Sequence, residues 1–250
     1  MKATWGLMAS MQMLVKDDPD ACVAIAFDNP IRSFRNDLFA GYKSDEGVPP
    51  ELHGQFDLAE RVCRAIGLTV WSMAEFEADD AIATAAAKFE GQGHEIRILS
   101  PDKDMGQCLQ SADVVQVDRI RKTEWGAAGV RAKLGVEPSQ VPDYLALVGD
   151  VADGIPGLAG FGPKAAAALL GAFGTLDEIP DSAAKWPATV RGRDRLAPVL
   201  AGSRALVRLY SLLATLRRDV PLHEDIEALR YRGPNPAAFA DVERELANKT

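Results

Sequence analysis

The sequence predicts an α/β protein: a mostly parallel central sheet flanked by helices, followed by a C-terminal helical region. Two observations predict it. Through the first half, helix-period apolar patterns alternate with short apolar runs of strand length, an order that implies crossover connections and parallel strands. Beyond about residue 145 the strand-length runs stop, and a glycine-rich turn opens into an Ala/Leu-rich helix. The expected organisation is an α/β core over residues 1–145 and a helical region over 146–250.

At 250 residues the chain is long enough for an ample core. No apolar run approaches the roughly 20 residues of a membrane span, and the N-terminus shows no secretory or transit pattern. A cytoplasmic protein without a membrane partner is expected. Cys22, Cys63 and Cys108 are widely spaced in apolar surroundings, as buried thiols in a reducing compartment are. His53, His94 and His223 show no metal spacing. The formal charge of −8 argues against a nucleic-acid partner, unless divalent cations neutralise some of the acids.

Residues 5–15 predict a helix. The run Ala21-Cys22-Val23-Ala24-Ile25-Ala26-Phe27 predicts a strand buried on both faces, with Asp28 at its end. Residues 30–50 are irregular and mix Arg32, Arg35 and Lys43 with Phe34, Phe39 and Tyr42. Such a mixture suits single-stranded nucleic acid or an ordinary solvated loop. A helix follows over 51–66 and a short strand over 68–71. Glu77-Ala78-Asp79-Asp80 then opens a helix to Phe89. Acids in a first turn suit the helix dipole, but three in four residues exceed what a cap requires. His94–Leu99 predicts a strand followed at once by Asp102 and Asp104, and Asp113–Val117 another. Residues 122–135 and 139–148 predict helices. Helical segments fill 165–216, with Leu206, Leu209, Leu213 and Leu216 as a core stripe. A final solvated helix closes the chain.

Open α/β sheets bind ligands beyond the carboxyl ends of their strands. Asp28, then Glu77, Asp79 and Asp80, then Asp102 and Asp104 all follow strands and so share one predicted edge. Crowded carboxylates raise one another's pKa values unless a cation compensates them. All-oxygen ligands select Mg²⁺ or Mn²⁺ over zinc.

The stretch Gly149 to Ala165 carries Asp150 and Asp153, then a turn rich in glycine and proline running into a helix. Gly157, Gly160 and Gly162 permit a close backbone approach. Pro163 suits a first helical turn, and Lys164 beside it favours a phosphate. The stretch nearly fits a P-loop, but proline stands where lysine should be. It contains a dinucleotide-type pattern that no strand precedes. A plain helical corner with solvated aspartates is the third alternative.

These pieces together resemble the 5′→3′ exonuclease/flap endonuclease family, as in the N-terminal domain of bacterial DNA polymerase I and its stand-alone homologues. The matching residues are Phe27-Asp28, Ser33-Phe34-Arg35, Gly41-Tyr42-Lys43, Glu77-Ala78-Asp79-Asp80 and Asp102-Lys103-Asp104. Gly149-Asp150-x-x-Asp153, Ile155-Pro156-Gly157 and Gly160-Phe161-Gly162-Pro163-Lys164 complete the set. The resemblance implies two-metal hydrolysis of DNA at a flap, nick or free 5′ end. Asp28, Glu77, Asp79 and Asp102 would hold one ion, and Asp104, Asp150 and Asp153 a second, with Asp80 close by. Arg35 and Lys43 would hold the scissile phosphate at the foot of a flexible arch over 39–54, with Tyr42 beside them. Gly157, Gly160, Gly162 and Lys164 would hold duplex backbone, with K⁺ on the turn's carbonyls. A monomer working with a DNA polymerase is expected.

The chain departs from the family pattern at three points. Family members begin with a strand ending in Asp-Gly, so Met1 is expected to lie downstream of the true start. The arginine soon after Tyr-Lys is replaced by Ser44-Asp45-Glu46, and Gly154 replaces the usual asparagine. A branched-DNA-binding homologue with impaired catalysis, or a PIN-type ribonuclease, are the alternative readings.

Overall fold

The computed structural model describes residues 2–248. In chain order the elements are α1 (Lys2–Asp17), β1 (Ala24–Asp28), α2 (Arg35–Leu38), α3 (Pro50–His53), α4 (Phe56–Ile66), β2 (Thr69–Met73) and α5 (Ala78–Phe89). There follow β3 (Ile96–Ile98), β4 (Val114–Asp118), β5 (Thr123–Trp125), α6 (Ala127–Leu134), α7 (Val141–Val148) and α8 (Pro163–Phe173). The last are α9 (Arg193–Gly202), α10 (Arg204–Ala214) and α11 (Pro236–Asn248). The described residues divide into two compact units. One is built from 2–34, 44–81 and 219–248, the other from 35–43 and 82–218.

In the first unit, α1 and α11 pack on α4. Leu58, Val62, Cys63, Ala65 and Ile66 recur along α4 at helical spacing and bury one face against Met8, Val15, Val242 and Leu246. Each Leu, Val, Ile or Met side chain among them contributes about 1.5–3 kcal/mol. α4 ends at Gly67, whose φ is +100°, and a Cβ there would fall 2.1 Å from Gly233 O. No residue but glycine fits that point. β1 pairs in parallel with β2, from Ala24↔Thr69 to Asp28↔Met73.

In the second unit, β3 pairs in parallel with β4, and β5 adds antiparallel to β4. Helix α7 lies against α8 and α10, with Leu145, Ala146 and Leu147 fully buried. Among the described residues no single helix is long and apolar enough to cross a membrane.

The α/β class with parallel pairing holds, but its strands lie in two short ladders, one in each unit. Three expectations change in detail. All of β1 is half-buried, not buried on both faces, and β2 is its ladder partner among the described residues. Thr123-Glu124-Trp125 begins the expected 122–135 helix as a strand instead, because Asp118↔Thr123 pairing closes a hairpin. The closing helix is not wholly solvated, since α11 buries Val242 and Leu246.

Candidate functional site

The tightest acid group lies in the second unit. Asp104, Asp150 and Asp153 offer carboxylate oxygens that all lie within 4.8 Å of one another. It is the one such group of His, Cys, Asp or Glu among the described residues. Local backbone chemistry builds it. Asp150 and Ile155 exchange two backbone hydrogen bonds of 2.7 Å, and Asp150 Oδ1 accepts from Ala152 N at 3.1 Å. The connecting residues thus fold back and bring Asp153 beside Asp150. Gly154 makes this possible with φ +73°, and a Cβ there would stand 2.2 Å from Gly41 O. That contact explains why glycine, not asparagine, follows Asp153 here.

Asp104 arrives from a 3₁₀ turn, Lys103–Cys108, whose start is capped by Asp102: the Asp102 side chain accepts from Asp104 N at 3.1 Å. Buried Gln116 on β4 donates to the carbonyls of Ser100 (2.8 Å) and Asp102 and accepts from Trp125 Nε1 at 3.1 Å. It ties the acid-bearing loop to the sheet. Gln116 carries no local sequence signal for this role, because its partners lie 14 and 16 residues away.

The charges in this group are incompletely balanced. Asp104 is 4% exposed, and its Oδ1 has no hydrogen-bond partner. Burial, then the charges of Asp102, Asp153 and Asp150, push the Asp104 carboxyl up to about 9. Two lysines partly compensate. Lys103 Nζ sits 2.6 Å from Asp150 Oδ2, and Lys43 Nζ 3.2 Å from Asp153 Oδ1. Desolvation opposes the Lys103 charge most strongly, but the Asp150 hydrogen bond and the surrounding carboxylates outweigh it and hold its pKa above the usual lysine range. An all-carboxylate donor set with an orphaned buried oxygen fits a hard divalent cation such as Mg²⁺ or Mn²⁺.

The first unit gathers a second set of acids at the start of α5. Asp28, the last residue of β1, accepts from Ala78 N at 2.6 Å through Oδ1. Asp80 Oδ2 accepts from Glu77 N at 3.0 Å, and Ser33 Oγ donates to Glu77 Oε1 at 2.6 Å. Glu77 and Asp80 are buried, and Asp79 is half-buried. Part of this acidity therefore organises the helix start, which its position in a first turn allowed for.

Arg35 and Tyr42 are both buried. Arg35 is 1% exposed, with Nε on Leu213 O (2.8 Å) and Nη2 on Thr215 O (2.9 Å). Its charge answers the C-terminal carbonyls of α10. Tyr42 is 4% exposed within the unit's core, with Arg35 Cζ 6.0 Å and Lys43 Nζ 5.8 Å from its ring centroid. Local sequence could not show this, because the carbonyls that claim Arg35 lie some 180 residues on.

The glycines divide by role. Gly157 has φ +69°, and a Cβ would meet Gly149 N at 2.5 Å, so it closes the turn on its own backbone. Gly160 has φ +83° and faces the guanidinium of Arg195. Gly162, at φ −124° before α8, has open space beside it, and Lys164 is exposed. A large ligand can thus reach Gly162 and Lys164 at the start of α8, beside exposed Gly160.

Comparison with known proteins follows this geometry. The family described as 5′-3′ exonuclease, N-terminal resolvase-like domain, matches residues 1–135. The 5′-3′ exonuclease C-terminal SAM fold matches residues 136–237. A 5′-3′ exonuclease of Aquifex aeolicus is 32% identical over 99% of this chain and 83% of its own length. DNA polymerase I of Mycobacterium leprae is 34% identical over 92% of the chain, but the match spans only 25% of that protein. The chain thus spans about a quarter of the polymerase relatives it matches. Among solved structures, bacteriophage T5 5′-exonuclease with bound divalent metal ions (zinc) superposes with a TM-score of 0.65 at 18% identity, over 96% of this chain and 90% of that one. A T5 flap endonuclease complex with DNA and metal ions gives 0.64 at 17%, over 96% and 90%. At such identities these two establish the shared fold.

Proposed function

The chain belongs to the 5′-3′ exonuclease family, and on that premise we propose that it hydrolyses DNA phosphodiesters at flaps, nicks or free 5′ ends. The observation that carries this reading is the Asp104–Asp150–Asp153 group with its unpartnered buried oxygen. Those three residues hold one divalent ion in this proposal. Asp28, Glu77, Asp79 and Asp80 are proposed ligands for a second, and Asp102 supports the loop that delivers Asp104. Mg²⁺ or Mn²⁺, when bound, supplies activation of water and neutralisation of the leaving oxygen.

The chain's own residues do the rest. Lys43, released from Asp153, offsets charge on the scissile phosphate. Arg35 braces the Tyr42 ring from the buried side and acts as a positioning residue, while Asn36 Nδ2 holds the Lys43 carbonyl at 2.8 Å. Gly162 and Lys164 receive duplex backbone, with Gly157 and Gly160 shaping the turn and K⁺ on its carbonyls. Phosphate contacts of this kind position DNA without reading its bases. A cytoplasmic monomer supplied with nicked DNA by a DNA polymerase is the setting proposed.

The test is incubation of purified protein with a 5′-labelled flap duplex in Mg²⁺ or Mn²⁺. Metal-dependent release of short 5′ products is expected, with Asp150→Asn reducing the rate at least about a hundredfold. Absence of cleavage in both metals, or an unchanged rate in the variant, would refute the proposal.

A further inference from the structure

Residues 119–122, the tip of the β4–β5 hairpin, read Arg119-Ile120-Arg121-Lys122. Three cations in four residues are a sharp local excess in a chain of net charge −8. Arg121 and Lys122 are exposed, Arg119 is half-buried, and Ile120 is 92% exposed. Nearby, exposed Lys133 lies over the Trp125 ring, with Nζ 2.9 Å from its centroid. Two acids flank this tip in sequence. Asp118 is 2% exposed and spends its carboxylate on Ile120 N, Arg121 N and Arg121 Nη1 at 2.9–3.0 Å. Glu124 is paired with Arg97. Lys122 holds φ +53°, the one positive-φ residue other than glycine among those described.

The topology decides where this charge stands. β3 and β4 are parallel, with Ile98 opposite Gln116. Both strands therefore leave the sheet at the same edge. β3 leaves into Asp102 and Asp104, and β4 leaves into the basic tip. Gln116 bonds the carbonyls of Ser100 and Asp102 directly, so the two exits are in contact at their base. Lys122 is six residues beyond Gln116, which places it within about 20 Å of that point at about 3.3 Å per residue. Successive phosphates on a DNA strand are about 3.4 Å apart along the axis, so the tip stands within roughly six phosphates of Gln116, which braces the loop that carries Asp102.

We propose that the Arg119–Lys122 hairpin tip is a DNA-backbone contact surface, gripping phosphates of the same duplex that the acid group cleaves, with Ile120 resting on the sugar edge. The inference rests on the nuclease reading above but adds an anchor distinct from the glycine turn. Nothing in it requires base readout.

The experiment measures binding of a fluorescent flap duplex by anisotropy in Ca²⁺, across a salt series. It compares the full chain with Arg119→Gln/Arg121→Gln/Lys122→Gln and with Lys2→Gln/Lys16→Gln, exposed cations of α1. Circular dichroism and Tm check that each variant is folded, and Lys122→Gln alone serves as the milder variant. The expected result is roughly tenfold weaker binding by the triple variant and a salt slope shallower by about two to three, near one per lost phosphate contact. The α1 variant should keep the parent slope. A folded triple variant with parent affinity and slope overturns the hairpin proposal while leaving the nuclease reading intact. A parent chain that fails to bind flap DNA overturns both.

Discussion

Lys103 Nζ lies 2.6 Å from Asp150 Oδ2, one residue away in sequence from Asp104, whose Oδ1 has no partner. A mobile ammonium thus stands where a divalent cation would also be attracted. Ion and lysine compete for one carboxylate. Lys103→Met should therefore lower the Mn²⁺ concentration at half-saturation severalfold, measured by isothermal titration. Weaker Mn²⁺ binding by this variant would mean that Lys103 helps to shape the site instead.

Removing the orphaned carboxyl oxygen should stabilise the metal-free protein. Asp104→Asn lets an amide donate to Asp150 or Asp153, and about 2 kcal/mol is expected from satisfying a buried polar group. That corresponds to a Tm higher by roughly 4–8 °C in EDTA, with loss of the further rise that Mg²⁺ produces in the parent. The pH dependence follows from the raised Asp104 pKa of about 9. Below about pH 4 folded and unfolded chains both hold this proton. Between there and about 9 only the folded chain does, so this group lowers stability as pH rises through that window. Urea midpoints in EDTA should show that slope in the parent and a flatter one in Asp104→Asn.

Arg35→Met separates structural support from phosphate contact. The change leaves the Leu213 and Thr215 carbonyls without their guanidinium. A loss of about 3 kcal/mol of unfolding free energy is expected, read from urea denaturation without metal or DNA. Unchanged stability with a lost cleavage rate would return Arg35 to the substrate.

The glycine turn offers a graded series. Gly157→Ala drives a methyl into the backbone at Gly149 at a positive φ and should cost several kcal/mol. Gly162→Ala meets open space at a permitted φ, and stability should fall by less than about 1 kcal/mol. Its methyl nevertheless stands on the surface beside Lys164, so flap-duplex affinity should drop by roughly tenfold. Equal binding by Gly162→Ala and parent would remove that face from the DNA contact.

Cys63 is fully buried in the first unit's core, and burial pushes its thiol up to about 12, with Arg64 opposing and Glu60 assisting. Native protein at pH 8.5 should alkylate half-buried Cys22 before Cys63 and buried Cys108. Mass mapping after brief iodoacetamide treatment checks the order. Because the folded thiol keeps its proton above the unfolded value of 9.0, stability falls from about pH 9 towards 12 as the unfolded thiol ionises.

Sequence by itself determined the class of this protein and the inventory of its chemistry. Apolar runs of two lengths set out alternating strands and helices. The acids at strand ends and the Asp150-to-Lys164 stretch were legible because their spacing is local and residue-specific. The family resemblance already grouped Asp104 with Asp150 and Asp153, and tertiary structure supplied the physical grounds. It joined Asp104 to Asp150 and Asp153 across some 46 residues, buried Arg35 under carbonyls far along the chain, and gave Gln116 the loop that carries Asp102. The reason is physical: a side chain's partners, and the water they exclude, are set by long-range packing, which no local spacing encodes. The same holds for the hairpin tip, whose charges lie in plain view of the sequence but gain a direction only from the parallel register of β3 and β4.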